Sequence, residues 1–230
     1  MSLLGINYKE VESFPVGYTE QLEMYSLDFE EFLWANGISE QSIIDVKEYF
    51  DKKEVIPTAI HEKMMELFKE YIVVGGMPRV VDDFIHNHNF ANVLKIQRGI
   101  INDYEDDIAK YVESLMWLYD AGIINFCYNL EIPQLPLEGN AKSDVFKVYM
   151  RDTGLLLAML DDGSQEDIID GNLGIYKGAI YENIIADIFT KKNKKLYYFE
   201  YNSTLEVDFF IRYEKVATAI EVKSAQNSKV

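Results

Sequence analysis

Cysteine is almost missing from this 230-residue chain, Cys127 being the only one. An intrachain disulfide is excluded, and a reducing compartment, the cytoplasm, is the expected location. No apolar run approaches the ~18 residues that a membrane span needs, so no membrane partner is expected. No basic segment followed by an apolar stretch marks a secretory leader. The phosphate-cradling G-x-x-x-x-G-K-[ST] loop is lacking: residues 171–178 contain glycines and Lys177, but not in that order. Without it the chain is not expected to hydrolyse ATP by itself. Basic charge is scarce, with 22 Lys+Arg against 39 Asp+Glu and a formal net charge of -17. Taken as an average, that argues against a phosphate-rich partner.

What is present is the material of a folded protein, 48% hydrophobic and 13% aromatic, enough for one large domain or two small ones. The acidity is unevenly placed. Residues 176–230 carry 9 Lys+Arg and 7 Asp+Glu, whereas the first 175 carry 13 and 32. The block Lys191, Lys192, Lys194, Lys195 suits a solvated helix end and also permits a polyanion.

Periodicity and caps divide the chain. Asp28-Phe29-Glu30-Glu31 has capping-box spacing and predicts a helix ending at Gly37. Residues 39–50 and 57–74 read as helices, the second with Ile60, Met64, Leu67 and Tyr71 on one stripe. Gly75-Gly76-Met77-Pro78 breaks it, and residues 79–85, 89–104 and 112–120 resume helix. Residues 123–130 and 145–150 read as strands, followed by a helix over 153–160. Helices followed by a two-stranded ribbon suggest a winged helix. The Asp/Gly/Ser-rich stretch 161–174 is the expected linker. Beyond it come a helix over 176–192 and strands at 195–200, 205–212 and 217–224. His86 and His88 beside Asp82 and Asp83 read as a charged helix end.

The last two strands carry the candidate chemistry. Residues 205, 207, 209 and 211 form one apolar face, so Glu206 and Asp208 are expected on the other. Ile220 and Val222 similarly oppose Glu221 and Lys223. An even turn centred between Glu214 and Lys215 sets Asp208 opposite Glu221 and Lys223 beside Glu206, with paired Cβ atoms ~5 Å apart. Two close carboxylates repel unless a cation separates them. A hard ion such as Mg²⁺ accepts one or two carboxylates and can share a phosphate oxygen, while a lysine orients an attacking water or stabilises developing negative charge. Metal-assisted phosphodiester hydrolysis is one reading; a solvated sheet face with a Glu206–Lys223 ion pair is the other. Glu182, on the otherwise small or apolar stripe of Ala179, Ala186 and Phe189, is either desolvated or aimed at a polar group.

Asp208, twelve residues, then Glu221-Val222-Lys223 resembles the PD-(D/E)XK nuclease pattern, with Glu182 in the place of the helix glutamate. Ser13-Phe14-Pro15-Val16-Gly17, Asp28-Phe29-Glu30-Glu31-Phe32-Leu33, Gly75-Gly76-Met77-Pro78, Asp106-Asp107-Ile108-Ala109-Lys110, Asp152-Thr153-Gly154-Leu155-Leu156, Tyr181-Glu182-Asn183 and Glu206-Val207-Asp208-Phe209 occur in that order. Together they resemble the C-terminal half of a family of prokaryotic AAA+ ATPases that carry a nuclease-like tail. The resemblance implies an α+β fold: a helical lid and winged-helix-like region followed by a partial restriction-endonuclease-like α/β domain. It implies an ATPase-core edge over 1–35, a lid over 36–90, a winged-helix-like region over 91–162 and a truncated nuclease-like domain over 175–230.

The implied catalytic residues are Glu182, Asp208, Glu221 and Lys223, with Asp208 and Glu221 as ligands of a Mg²⁺ ion. Gly76 and Pro78 resemble the Gly-x-Pro of related lids, near the adenine of an ATP bound by the full-length parent. Implied partners are DNA or another protein, the alternative to cleavage being a non-catalytic regulatory module, and oligomers form through the ATPase part. The chain departs from the family at Tyr18, where an arginine is usual. It departs again between Lys110 and Glu113, where further helices are usual, so the winged helix is expected to be short of its recognition helix. Met1-Ser2-Leu3 reads as a cloning scar, and the sequence stops seven residues after Lys223.

Overall fold

A computed structural model describes residues 23–108, 114–172, 174–202 and 204–223. The motif at 13–17, Tyr18 and the junction at 110–113 lie outside the described residues. The fold is α+β. Two compact units share the chain: one takes residues 26–102 and 152–184, the other 1–25, 103–151 and 185–230.

The first unit is helical. Helix α1 (Phe29–Ala35) starts on a reciprocal cap, in which the Asp28 carboxylate accepts from the Glu31 amide and Glu31 accepts from the Asp28 amide, both at 2.9 Å. Such caps contribute about 1 kcal/mol. Ser39 caps α2 (Glu40–Lys52) one-sidedly, its hydroxyl accepting from the Ser42 amide. The expected stripe of α3 (Thr58–Val74) is buried only in its second half, from Leu67 onward. Pro78 opens α4 (Pro78–Asn87), and α5 (Phe90–Ile108) follows. Phe32, Tyr71 and Phe84 pack as neighbouring rings. Ile72 and Val73 pack with Leu157 of α7 (Thr153–Ala158), Ile168 of α8 (Ser164–Ile169) and Ile180 and Ile184 of α9 (Lys177–Lys191). The stretch 161–174 is therefore not a linker. Its Ile168 and Gln165 are 3% and 7% exposed, which is core burial concealed by polar neighbours.

A buried polar hub ties these helices together. The Asp152 carboxylate caps α7 at the Leu155 amide (2.9 Å) and also accepts from the Gly76 amide (2.7 Å). Gln97 donates to the Val73 and Val74 carbonyls at the end of α3, and Gln165 donates to Gln97. Helix-end carbonyls that lack an intrahelical partner are thereby satisfied. The hub demands glycine. A Cβ on Gly76 would lie 1.9 Å from the Leu27 carbonyl, and one on Gly75, at φ 72°, would lie 2.2 Å from Asp152.

The second unit is a five-stranded sheet in the order β2-β1-β3-β4-β5. Strands β1 (Ile124–Leu130) and β2 (Ala141–Met150) form an antiparallel pair, and β1 runs parallel to β3 (Leu196–Tyr201). Strands β4 (Leu205–Tyr213) and β5 (Val216–Ile220) add antiparallel neighbours. The ribbon expected to belong to a winged helix is thus continuous with β3, β4 and β5. Helix α6 (Ser114–Asp120) packs on β1. One sheet face collects Cys127, Tyr149, Leu196, Tyr198 and Phe209 against Ala186 and Phe189 of α9. The other collects Leu130, Leu137, Tyr197 and Phe210. Among the described residues no helix is long and apolar enough to cross a membrane.

Candidate active site

The β4–β5 hairpin closes on a two-residue turn, Glu214-Lys215, with Tyr213 paired to Val216 and Phe209 to Ile220. That is the register expected for Asp208 to stand level with Glu221. The ladder ends at Ile220, and the Asp208 carboxylate accepts from the Val222 amide at 2.7 Å, taking the place of a strand carbonyl. Lys223 pairs with Glu221. Its ammonium is held above the ordinary 10.5, first by the hydrogen bond from Glu221, then by the Glu221 charge, with the Asp208 charge adding in the same direction. Asp208, Glu221 and Lys223 therefore form one electrostatic neighbourhood.

The expected alternation along β4 is overturned. Tyr197 pairs with Phe210 and Phe199 with Val207, so two β4 residues, Asp208 and Phe209, oppose the single Tyr198. This is a β-bulge. It moves Val207 to the face of Phe210, while Phe209 packs on the α9 face. Bulges re-aim side chains, and this one sits at the acid on which the proposed chemistry depends. Glu206 is not beside Lys223 either. It pairs with Lys147 of β2, whose ammonium lies 4.8 Å from the Tyr198 ring centroid. Burial, followed by the Glu200 charge, raises the Tyr198 phenol, and the Lys147 charge opposes them.

Glu182 lies half-buried in the part of α9 that belongs to the helical unit, whereas the hairpin belongs to the other. Gly76 and Pro78 sit at the break between α3 and α4, where the Gly76 N–H is taken by Asp152 and its carbonyl by the Leu27 amide. Pro78 is exposed. His86 folds onto Asp82 at its helix end. Among the described residues no group of three or more His, Cys, Asp or Glu comes together to hold a metal. Two features were missed in the sequence. Lys147 sits in a run that reads as a plain strand. Asp187 and Lys191, a buried i,i+4 ion pair at 2.7 Å, look like ordinary helix charges.

Residues 177–230 match the domain of unknown function DUF4143. This domain is typical of C-terminal regions associated with AAA ATPases. A second domain of unknown function, DUF8612, matches residues 65–115. No curated protein and no solved structure matches the chain. The DUF4143 segment holds α9 and β3 to β5, and thus Glu182, Asp208, Glu221 and Lys223, but neither β1 nor β2. Lys147 lies upstream of it.

Proposed function

We propose that this chain is the C-terminal part of an AAA+-type ATPase whose tail carries a PD-(D/E)XK-like site for metal-assisted cleavage of DNA phosphodiesters. The hairpin register supports it: Phe209 pairs with Ile220, so Asp208 and Glu221 come one step beyond the last paired rung, and Lys223 pairs with Glu221. The DUF4143 match supports the ATPase setting. Two carboxylates suit Mg²⁺, which binds through one or two carboxylates, several waters and a substrate phosphate rather than an all-protein cage. Asp208 fits that role, because Oδ2 accepts from the Val222 amide and Oδ1 has no hydrogen bond among the described residues. Bound there, the ion supplies Lewis-acid polarisation of the phosphate. Lys223 orients the attacking water, whose oxygen bonds to phosphorus as the bond to the leaving sugar oxygen breaks; the water gives its proton to solvent, and solvent returns one to the leaving oxygen. The lid completes the proposal: Pro78, exposed beside a fully bonded Gly76, meets ATP in the parent.

The test is plasmid cleavage by the full-length protein in Mg²⁺ or Mn²⁺. Asp208→Asn and Lys223→Ala lose roughly 100-fold or more in rate. Their urea midpoints stay near wild type, because an asparagine oxygen still accepts from the Val222 amide. Equal cutting by both variants and wild type sinks the proposal.

A second reading, a non-catalytic module that binds DNA or a partner protein and regulates the ATPase, is favoured by the Glu221–Lys223 pair and the Val222 bond. These give Asp208 Oδ2 and Glu221 Oε2 a partner each without a cation. Calorimetry separates the two readings. Metal uptake that disappears in Glu221→Gln supports cleavage, and DNA or protein binding indifferent to metal supports the module.

A further inference from the structure

We propose that Lys147 is a positioning residue that holds a DNA phosphate next to Asp208, and that Glu206 masks it until the phosphate arrives. The inference rests on the cleavage reading for the location of its ligand and extends it to a residue outside the DUF4143 segment.

Lys147 pairs with Cys127 across β1–β2 and so shares the sheet face of Tyr198 and Phe209. From β2 its ammonium reaches Glu206 on β4, two residues from Asp208, passing over the Tyr198 ring. Tyr198 is the residue that the bulge sets opposite Asp208 and Phe209. Lys147 and the bulge therefore address the same spot. The pair is asymmetric: the lysine side chain is 28% exposed and the glutamate 52%. The aromatic ring and the strand hold the cation, so Glu206 is the partner able to swing into water. Asn129, paired with Tyr198 across β1–β3 and 2% exposed, has an Oδ1 without a hydrogen-bond partner among the described residues. A polar group buried in this way marks a place where a water or ligand donor belongs. A lysine ammonium engages phosphate as a point charge from many directions, which suits a backbone contact that positions without reading sequence.

The experiment is duplex-DNA binding by the full-length protein across a salt series, with Ca²⁺ replacing Mg²⁺ so that binding is read without turnover. Lys147→Gln weakens binding about 10-fold and lowers the salt slope by about one phosphate contact. Lys147→Arg retains binding. Glu206→Gln moves the other way and tightens it several-fold, because the mask is removed. A structural ion pair predicts instead that the glutamine variants shift binding together or not at all, and either result overturns the inference. Should Lys147→Gln fail to fold, Glu206→Gln decides alone, and no tightening is fatal. Cleavage assayed in parallel with Mg²⁺ separates the two claims. Opposite shifts without any cutting by wild type retain the Lys147 contact and reject cleavage. Cutting without shifts rejects Lys147 alone. Failure of the wild type to bind DNA rejects both.

Discussion

At the residue scale, Gly76 is where backbone and side chain compete for the same volume. Its hydrogen stands where a Cβ would meet the Leu27 carbonyl, and both of its main-chain groups are bonded. Gly76→Ala must push apart two segments of backbone, which have no rotamers with which to yield. A loss of about 3 kcal/mol is expected, near the upper end for overpacked sites, measurable as a fall in the urea midpoint at unchanged slope. Gly-Gly-Met-Pro reads in the sequence as a helix break, and it is one. Its partner Asp152 is 76 residues away and has no local signal, so the reason for the glycines is invisible before folding. Asp208 makes a similar point: its type and spacing are legible, but its bond to the Val222 amide is not.

At the element scale, the two-residue turn is the most economical target for a stability test. Glu214 sits at φ 52°, a left-handed conformation that costs a residue with a Cβ about 1 kcal/mol or more. Glu214→Gly should raise the thermal midpoint by a few degrees and leave the register intact, as read by amide exchange along β4 and β5. Caps and turn length carried most of what could be inferred here. Asp28 announces its helix, and an even turn fixes which residues face each other across β4 and β5. The bulge escaped because Val207, Phe209, Phe210 and Ile211 are all apolar, and a run apolar on both parities shows no slip. Helix α8 escaped for the opposite reason: two buried side chains among aspartates and glycines do not make a visible stripe.

At the scale of the whole molecule, a half-buried acid gives stability a pH dependence. Glu70 on α3, half-buried, is raised above its ordinary 4.5, chiefly by burial and then by the Glu66 charge, against the lowering charges of Lys63 and His88. The folded protein therefore holds this proton more tightly than the unfolded chain. Stability is largest below the unfolded value and declines as pH rises through the folded one. Glu70→Gln removes that decline. The variant should be more stable than wild type at pH 7 and nearly equal to it at pH 4 by urea denaturation, with a modest difference because the site keeps solvent contact.

The parallel contact between β1 and β3 sets a timetable for synthesis. Strands β1 and β2 leave the ribosome as a hairpin whose inner edge stays open while three helices are translated, since β3 comes only after α9. Open strand edges recruit other chains. Nascent protein should therefore be most dependent on chaperones in the interval between Met150 and Leu196, and a DUF4143 segment expressed alone would inherit the complementary wound along β3.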